Sequence, residues 1–156
     1  MIRAVTADDR DGWVPLWEGY LRFYRQSLPA AVTDATFDRL CARRDGLFGV
    51  VAQDGAALVG LAHGVLHAST WHDAPVCYLS DLFVDPAARG SGVARALIDA
   101  VVAEARAHGA GEVYWHTQEF NGRARSLYDQ VGELRSWVVY EVPLTPPGAP
   151  SSPRSS

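Results

Sequence analysis

Cysteine is nearly missing from this chain: Cys41 and Cys77 are the only two, far apart and without metal-ligand spacing. Two thiols build no disulfide framework, and they read as a reduced, partly buried pair. Long apolar runs are missing too. No stretch approaches the roughly 20 residues that cross a bilayer. The opening "MIRAVTADDRDG" is acidic where a secretory leader is basic and then apolar. Positive charge is not in excess: the formal net charge is -4, which gives no global pull toward nucleic acid or anionic membrane. These absences lead us to expect a cytoplasmic protein with neither a membrane nor a nucleic-acid partner. What is present is 156 residues, 48% hydrophobic and 21% charged, enough for one domain with a real core. We expect that domain over residues 1–144, with "TPPGAPSSPRSS" at 145–156 a disordered Pro/Ser/Gly-rich tail.

Periodicity orders the rest. "IRAV" at Ile2 to Val5 is a short strand candidate. From about Asp9, Trp13, Leu16, Trp17, Tyr20, Leu21 and Tyr24 recur at helical steps. Thr33 or Asp34 is placed to cap a second helix carrying Phe37 and Leu40. "LFGVVAQ" reads as a strand, turning at Asp54-Gly55 into "ALVGLAHGVLHA". "PVCYLSDLFV" is almost continuously apolar and so reads as a central strand. A helix follows, with Ala94, Leu97, Ile98, Val101, Val102 and Ala105 on one stripe and Gly109 as its stop. "EVYWHTQ" is a strand, Asn121 opens a helix that Gly132 ends, and "SWVVYEVPL" is expected to close the sheet. The sum is an α/β domain with a mixed sheet.

The costly detail is Arg89-Gly90-Ser91-Gly92-Val93-Ala94, between a strand that stops at Asp85-Pro86 and a long helix. The first turn of a helix has backbone N–H groups without partners and a partial positive charge. Glycines let a ligand approach that backbone closely, and a pyrophosphate is the natural guest, with Arg89 beside it. Three other motifs are excluded by their letters. A dinucleotide fingerprint needs glycine where Arg95 stands, and the Gly-Lys-Ser/Thr of a Walker loop is absent. A nucleophile elbow around Ser91 needs glycines in place of Arg89 and Val93. His63, His67 and His72 suggest a metal, but His63 and His67 stand about 13 Å apart along a strand. Satisfied or solvent-facing histidines are the better reading, and no metal is expected.

The pattern Arg-x-x-Gly-x-Ala, after a "DLFVDP" strand and before a long helix, resembles motif A of the GCN5-related N-acetyltransferases (GNAT). "NGRARSLYDQVG" resembles the helix that follows it in that family, at the same Asn-x-x-Ala-x-x-x-Tyr spacing. The resemblance covers about Ile2 to Leu144. It implies the GNAT fold, with a mixed central sheet of roughly six to seven strands flanked by about four helices. It implies acetyl-coenzyme A as co-substrate, with Leu82, Phe83 and Val84 meeting the pantetheine arm and acetyl group. Arg89, Gly90, Ser91, Gly92, Val93, Ala94 and Arg95 would hold the phosphates. Asn121, Arg123 and Ala124 would lie along the coenzyme, and Tyr128 would be catalytic, protonating the departing thiolate.

The subgroup it most resembles is the diamine (spermidine/spermine-type) acetyltransferases, through "HASTWHDAPVCYLSDLFV" and "VYWHTQEFN". Those enzymes carry a glutamate then an aspartate where this chain has Ser80-Asp81. The glutamate is the proposed base there, so Asp81, His116, Glu119 or an ordered water remain open for the role here. The resemblance places the amine among Tyr24, Trp71, Ser80, Asp81, Tyr114, Trp115 and His116. Tyr24 and Trp71 equally suit a core or an interface. The expected activity is direct transfer of acetyl to a primary amine of a small molecule: a polyamine, a diamine or an amino-acid-like compound. A non-catalytic acyl-coenzyme A sensor and a protein or histone lysine acetyltransferase are the alternatives. A homodimer is implied by analogy with the family, with "SWVVYEV" as a candidate interface strand.

Overall fold

The computed structural model describes residues 1–144, and the expected tail at 145–156 lies outside the described residues. The elements are β1 (Ile2–Ala4), α1 (Arg10–Phe23), α2 (Ala30–Ala42), β2 (Leu47–Asp54), β3 (Ala57–His67), β4 (Val76–Val84), α3 (Val93–Ala107), β5 (Val113–Tyr114) and α4 (Gly122–Val131). The strands lie in the order β1-β2-β3-β4-β5, all antiparallel except the β4–β5 pair.

Alternation along the strands builds two cores. Phe48, Val50, Ala52, Ala62, Cys77, Leu79 and Val84 pack with Leu97, Ile98 and Val101 of α3. Val51 and Leu61 face the other way, onto Trp13, Leu16 and Trp17 of α1 and Phe37 and Leu40 of α2. The sheet is therefore covered on both faces, as the near-continuous apolar run of β4 requires of a central strand.

The register of β4 changes at Ser80. His63 pairs with Asp81 but Gly64 pairs with Leu79, so Ser80 is an extra residue, a β-bulge. One extra residue flips the side-chain parity of everything after it. Before it, Cys77 and Leu79 join the α3 core. After it, Leu82 and Val84 do, and Phe83 packs with the α1 cluster. The bulge thereby turns Asp81 to the α1 side, opposite His63.

Three expectations are corrected. The sheet has five strands among the described residues, not six to seven. "EVYWHTQ" contributes only Val113–Tyr114, and "SWVVYEVPL" forms no strand. A strand needs a ladder to bond to and a face to bury. Two-residue β5 offers neither to the last segment, which leaves Trp137, Val138, Val139, Tyr140 and Val142 exposed. The third correction is at α2, which begins at Ala30 behind Pro29, with Thr33 and Asp34 inside the helix. The Pro29 carbonyl takes the Val32 and Thr33 N–H groups, and Asp34 pairs with Arg10 instead.

Candidate active site

The helix mouth has the geometry its glycines suggested. Gly90 and Gly92 have φ of 87° and 83°, the left-handed region, and no atom lies within 4 Å of where a Cβ would stand on either. Asp85 fixes the approach: its Oδ1 accepts the Ala87 N–H at 2.8 Å, opening a single 3-10 turn at Pro86–Ala88. The Ser91 hydroxyl donates to the Ala88 carbonyl at 2.6 Å. Among the described residues, no backbone N–H from Gly90 to Arg95 donates to a protein carbonyl. A row of amides without protein partners at the start of the 15-residue α3 has the geometry to cradle an anion. Arg89 folds back beside it, its Nε–H donating to the Val84 carbonyl at 3.2 Å and its guanidinium 6.0 Å from the Phe83 ring centre. Arg95 is exposed on the first turn of α3.

The cradle opens onto a gap in the sheet. β5 pairs with β4 only at Cys77↔Val113 and Tyr78↔Tyr114, while β4 runs on to Val84. The stretch Leu79–Val84 thus has no strand beside it on that side among the described residues. Leu82, Phe83 and Val84 form its end nearest the cradle. Across the gap stands α4, with Asn121 at its N-cap and its amide donating to the Thr117 hydroxyl at 3.3 Å. Asn121, Ala124 and Tyr128 share one helical face, and Arg123 is exposed.

A pocket of about 20 Å³, the space of one small polar group, is lined by Tyr20, Tyr24, Leu79, Ser80, Leu82, Trp115, His116 and Tyr128. Tyr128 packs edge-on against Trp115 at 5.5 Å, and Gly132 lets the indole close in, since a Cβ there would sit 2.8 Å from the ring. Burial, then the nearness of Tyr24, pushes the Tyr128 hydroxyl up to about 12, so it keeps its proton at neutral pH. Tyr20, Tyr24 and Tyr78 are pushed up likewise, first by burial and next by the charge of Asp81. Asp81 is therefore ringed by neutral phenols. Its Oδ2 lies 3.0 Å from Nδ1 of His63.

Of the residues read as substrate contacts, the structure gathers Tyr24, Ser80, Trp115 and His116 around this pocket, with Asp81 beside it. It does not bring Tyr114 or Trp71 there. Tyr114 hydrogen-bonds His67 at 2.9 Å, and Trp71 is 82% exposed against Trp137. Tyr20 and His63 are not among the site residues read from the sequence, where His63 is a satisfied or solvent-facing histidine. Tyr20 continued the Trp13–Trp17 stripe and read as core, and only its position four residues before Tyr24 hinted at a pair of hydroxyls. Among the described residues, no three His, Cys, Asp or Glu side chains are grouped to hold a metal ion. A wider groove, about 830 Å³, runs along α1 past Asp11, Arg22 and Leu58 and reaches the cradle through Phe83, Asp85, Pro86 and Arg89. Its lining includes none of Ser80, His116 and Tyr128, which line the smaller pocket.

The family model for acetyltransferases of the GNAT family matches residues 13–132. The chain belongs to the GNAT family. It is an acetyl-coenzyme A-dependent N-acetyltransferase. The D-amino-acid N-acetyltransferase HPA3 of Saccharomyces cerevisiae is 34% identical over 143 residues, spanning 90% of this chain and 89% of that one. The N-acetyltransferase YhfO of Bacillus subtilis is 28% identical over 84% of this chain and 87% of its own. Among solved GNAT structures, AAC(6')-Iy in complex with a bisubstrate analogue shares the fold at a TM-score of 0.80, with 22% identity over 93% of this chain and 97% of that one. The residues present fit the co-substrate: the Gly90–Arg95 amides without a carbonyl partner among the described residues and the open space at Gly90 and Gly92 suit a pyrophosphate, and the gap beside β4 lies between them and Tyr128. No helix among the described residues is long and apolar enough to cross a membrane.

Proposed function

We propose that this GNAT enzyme acetylates the primary amine of a small, amino-acid-like molecule, with Asp81 facing the amine and Tyr128 at the thioester sulfur. Bound acetyl-coenzyme A supplies the activated acetyl group. The chain's own residues do the rest. Gly90 to Ala94, with Arg89 and Arg95, grip the diphosphate, and Asn121 and Ala124 line the arm. The β4 edge at Leu82–Val84 offers backbone N–H to the acetyl oxygen. Asp81 takes a proton from the ammonium, and the Tyr128 hydroxyl gives one to the departing thiolate.

The observation that carries the acceptor reading is the single carboxylate. A polyamine asks for acidic groups spaced along its length, whereas Asp81 stands alone among phenols, with Ser80 where diamine enzymes have glutamate. The relative at 34% identity acts on D-amino acids. The test is thiol release from acetyl-coenzyme A across D- and L-amino acids, lysine analogues, polyamines and aminoglycosides. Amino acids or simple monoamines are expected to turn over fastest. Fastest release with polyamines overturns the acceptor assignment, and coenzyme binding without release on any amine establishes a sensor instead.

We also propose that two copies pair through the last described segment. Its exposed Trp137, Val138, Val139 and Tyr140 form an unbroken apolar run that finds no ladder among the described residues, and a second copy supplies one. Sedimentation is expected to give a dimer at micromolar concentration. A monomer at every concentration rejects this pairing.

A further inference from the structure

His63 is 3% exposed, and its ring lies 5.7 Å from Trp13 and 5.4 Å from Trp17. Its hydrogen bonds fix its tautomer. An indole N–H only donates, and Trp13 Nε1 lies 3.0 Å from His63 Nε2. That ring nitrogen must therefore keep its lone pair, which leaves the imidazole proton on Nδ1. From Nδ1 it donates across 3.0 Å to Asp81 Oδ2. The neighbouring Trp17 Nε1–H, also buried, has no partner among the described residues, so burial alone does not force such a bond here.

The direction of the chain of bonds, Trp13 to His63 to Asp81, matters for the site. One carboxylate oxygen is tied to His63 inside the sheet, and the Tyr20 hydroxyl faces the same carboxylate from α1. The groups that face Asp81 are Tyr20 of α1, Tyr24 at its C-cap, Tyr78 of β4 and His63 of β3. No arginine is among them. His63 is the ion-pair-distance partner Asp81 has among the described residues, and its neutral donor tautomer orients the carboxylate without cancelling its charge. A cationic partner would cancel it, and an apolar residue would let the carboxylate swing.

We propose that His63 is a positioning residue of the acetyl transfer: Trp13 locks it as a one-way donor, and it aims the Asp81 carboxylate at the incoming amine. It neither takes up nor releases a proton during the reaction. The proposal rests on the assignment of Asp81 above.

The experiment is a double-mutant cycle on the full chain, read as kcat and KM for the amine and Kd for coenzyme A, with 15N NMR of the histidine rings of the unsubstituted enzyme. The spectrum is expected to show one imidazole with Nδ1 protonated and Nε2 bare at pH 7. His63→Leu is expected to lower kcat by about tenfold or more with coenzyme affinity unchanged, because a misaimed base costs rate before binding. His63→Asn, which keeps an N–H beside Asp81, should recover most of that loss. In an Asp81→Asn background, His63→Leu should cost under about threefold, since it acts only through the carboxylate. A ring protonated on Nε2, no rescue by asparagine, or equal losses in both backgrounds overturns the proposal. If His63→Leu does not fold, the spectrum and His63→Asn still decide it. Unchanged rates in Asp81→Asn alone would instead remove Asp81 as the base, an outcome the spectrum reads separately.

Discussion

Asparagine at position 81 is expected to lower kcat/KM for the acceptor amine by about 10²- to 10⁴-fold at neutral pH, with coenzyme affinity unchanged. A primary ammonium with a pKa on the order of 10 is about one part in a thousand neutral at pH 7. An enzyme with a working carboxylate accepts the abundant ammonium and strips its proton. The variant must wait for amine that is already neutral, so its rate should climb about tenfold per pH unit toward the amine's own pKa. The parent enzyme should stay level over the same range. Asparagine keeps the shape of the side chain and an oxygen for the His63 Nδ1–H, so the loss reports charge and basicity rather than collapse. A variant within threefold of the parent at pH 7, or one with a level pH profile, would remove Asp81 from the mechanism.

Phenylalanine at position 128 is the second large effect: turnover should fall at least about tenfold, with little change in coenzyme binding. A free thiol has a pKa near 8.5 and an ordinary tyrosine near 10, so the phenol is the weaker acid and parts with its proton only as the thiolate forms. Burial strengthens that hold, lifting the group to about 12. The sign follows directly. A raised pKa keeps the acid form, so Tyr128 should cause no fall in kcat up to about pH 10, where an unshifted tyrosine would be half ionised. Phenylalanine keeps the edge-on contact with Trp115, which separates loss of the hydroxyl from loss of packing. Full turnover in the variant would take the proton donor elsewhere.

Much of this arrangement is legible in the letters, and the reasons are local. α3 announces itself by its stripe and by Gly109, whose φ of 76° ends it. Asn121 and Gly132 bracket α4 as they read. The cradle is legible because Gly90 and Gly92 serve no packing purpose. What escapes the sequence is long-range. "SWVVYEVPL" has every mark of a strand, yet a strand is a relation to a neighbour, and no neighbour for it lies in the described part of one chain. His63 reads correctly as a satisfied histidine, but its partner, Asp81, is 18 residues away and meets it only after a parity change at Ser80. No periodicity count anticipates a one-residue irregularity in an apolar run. Tyr20 is hidden for a similar reason: a tyrosine at the end of an aromatic stripe looks like core until its hydroxyl is found facing Asp81.

The extra residue in β4 also separates two demands that usually compete. Up to Leu79 the strand answers to the packing beneath α3; from Asp81 onward its odd positions answer to α1. The side chain at 80 can therefore change without repacking the layer that holds the sheet together. A point substitution at the bulge itself leaves that layer as it is, while a single deletion there would turn Asp81 into the hydrophobic layer and disrupt the fold.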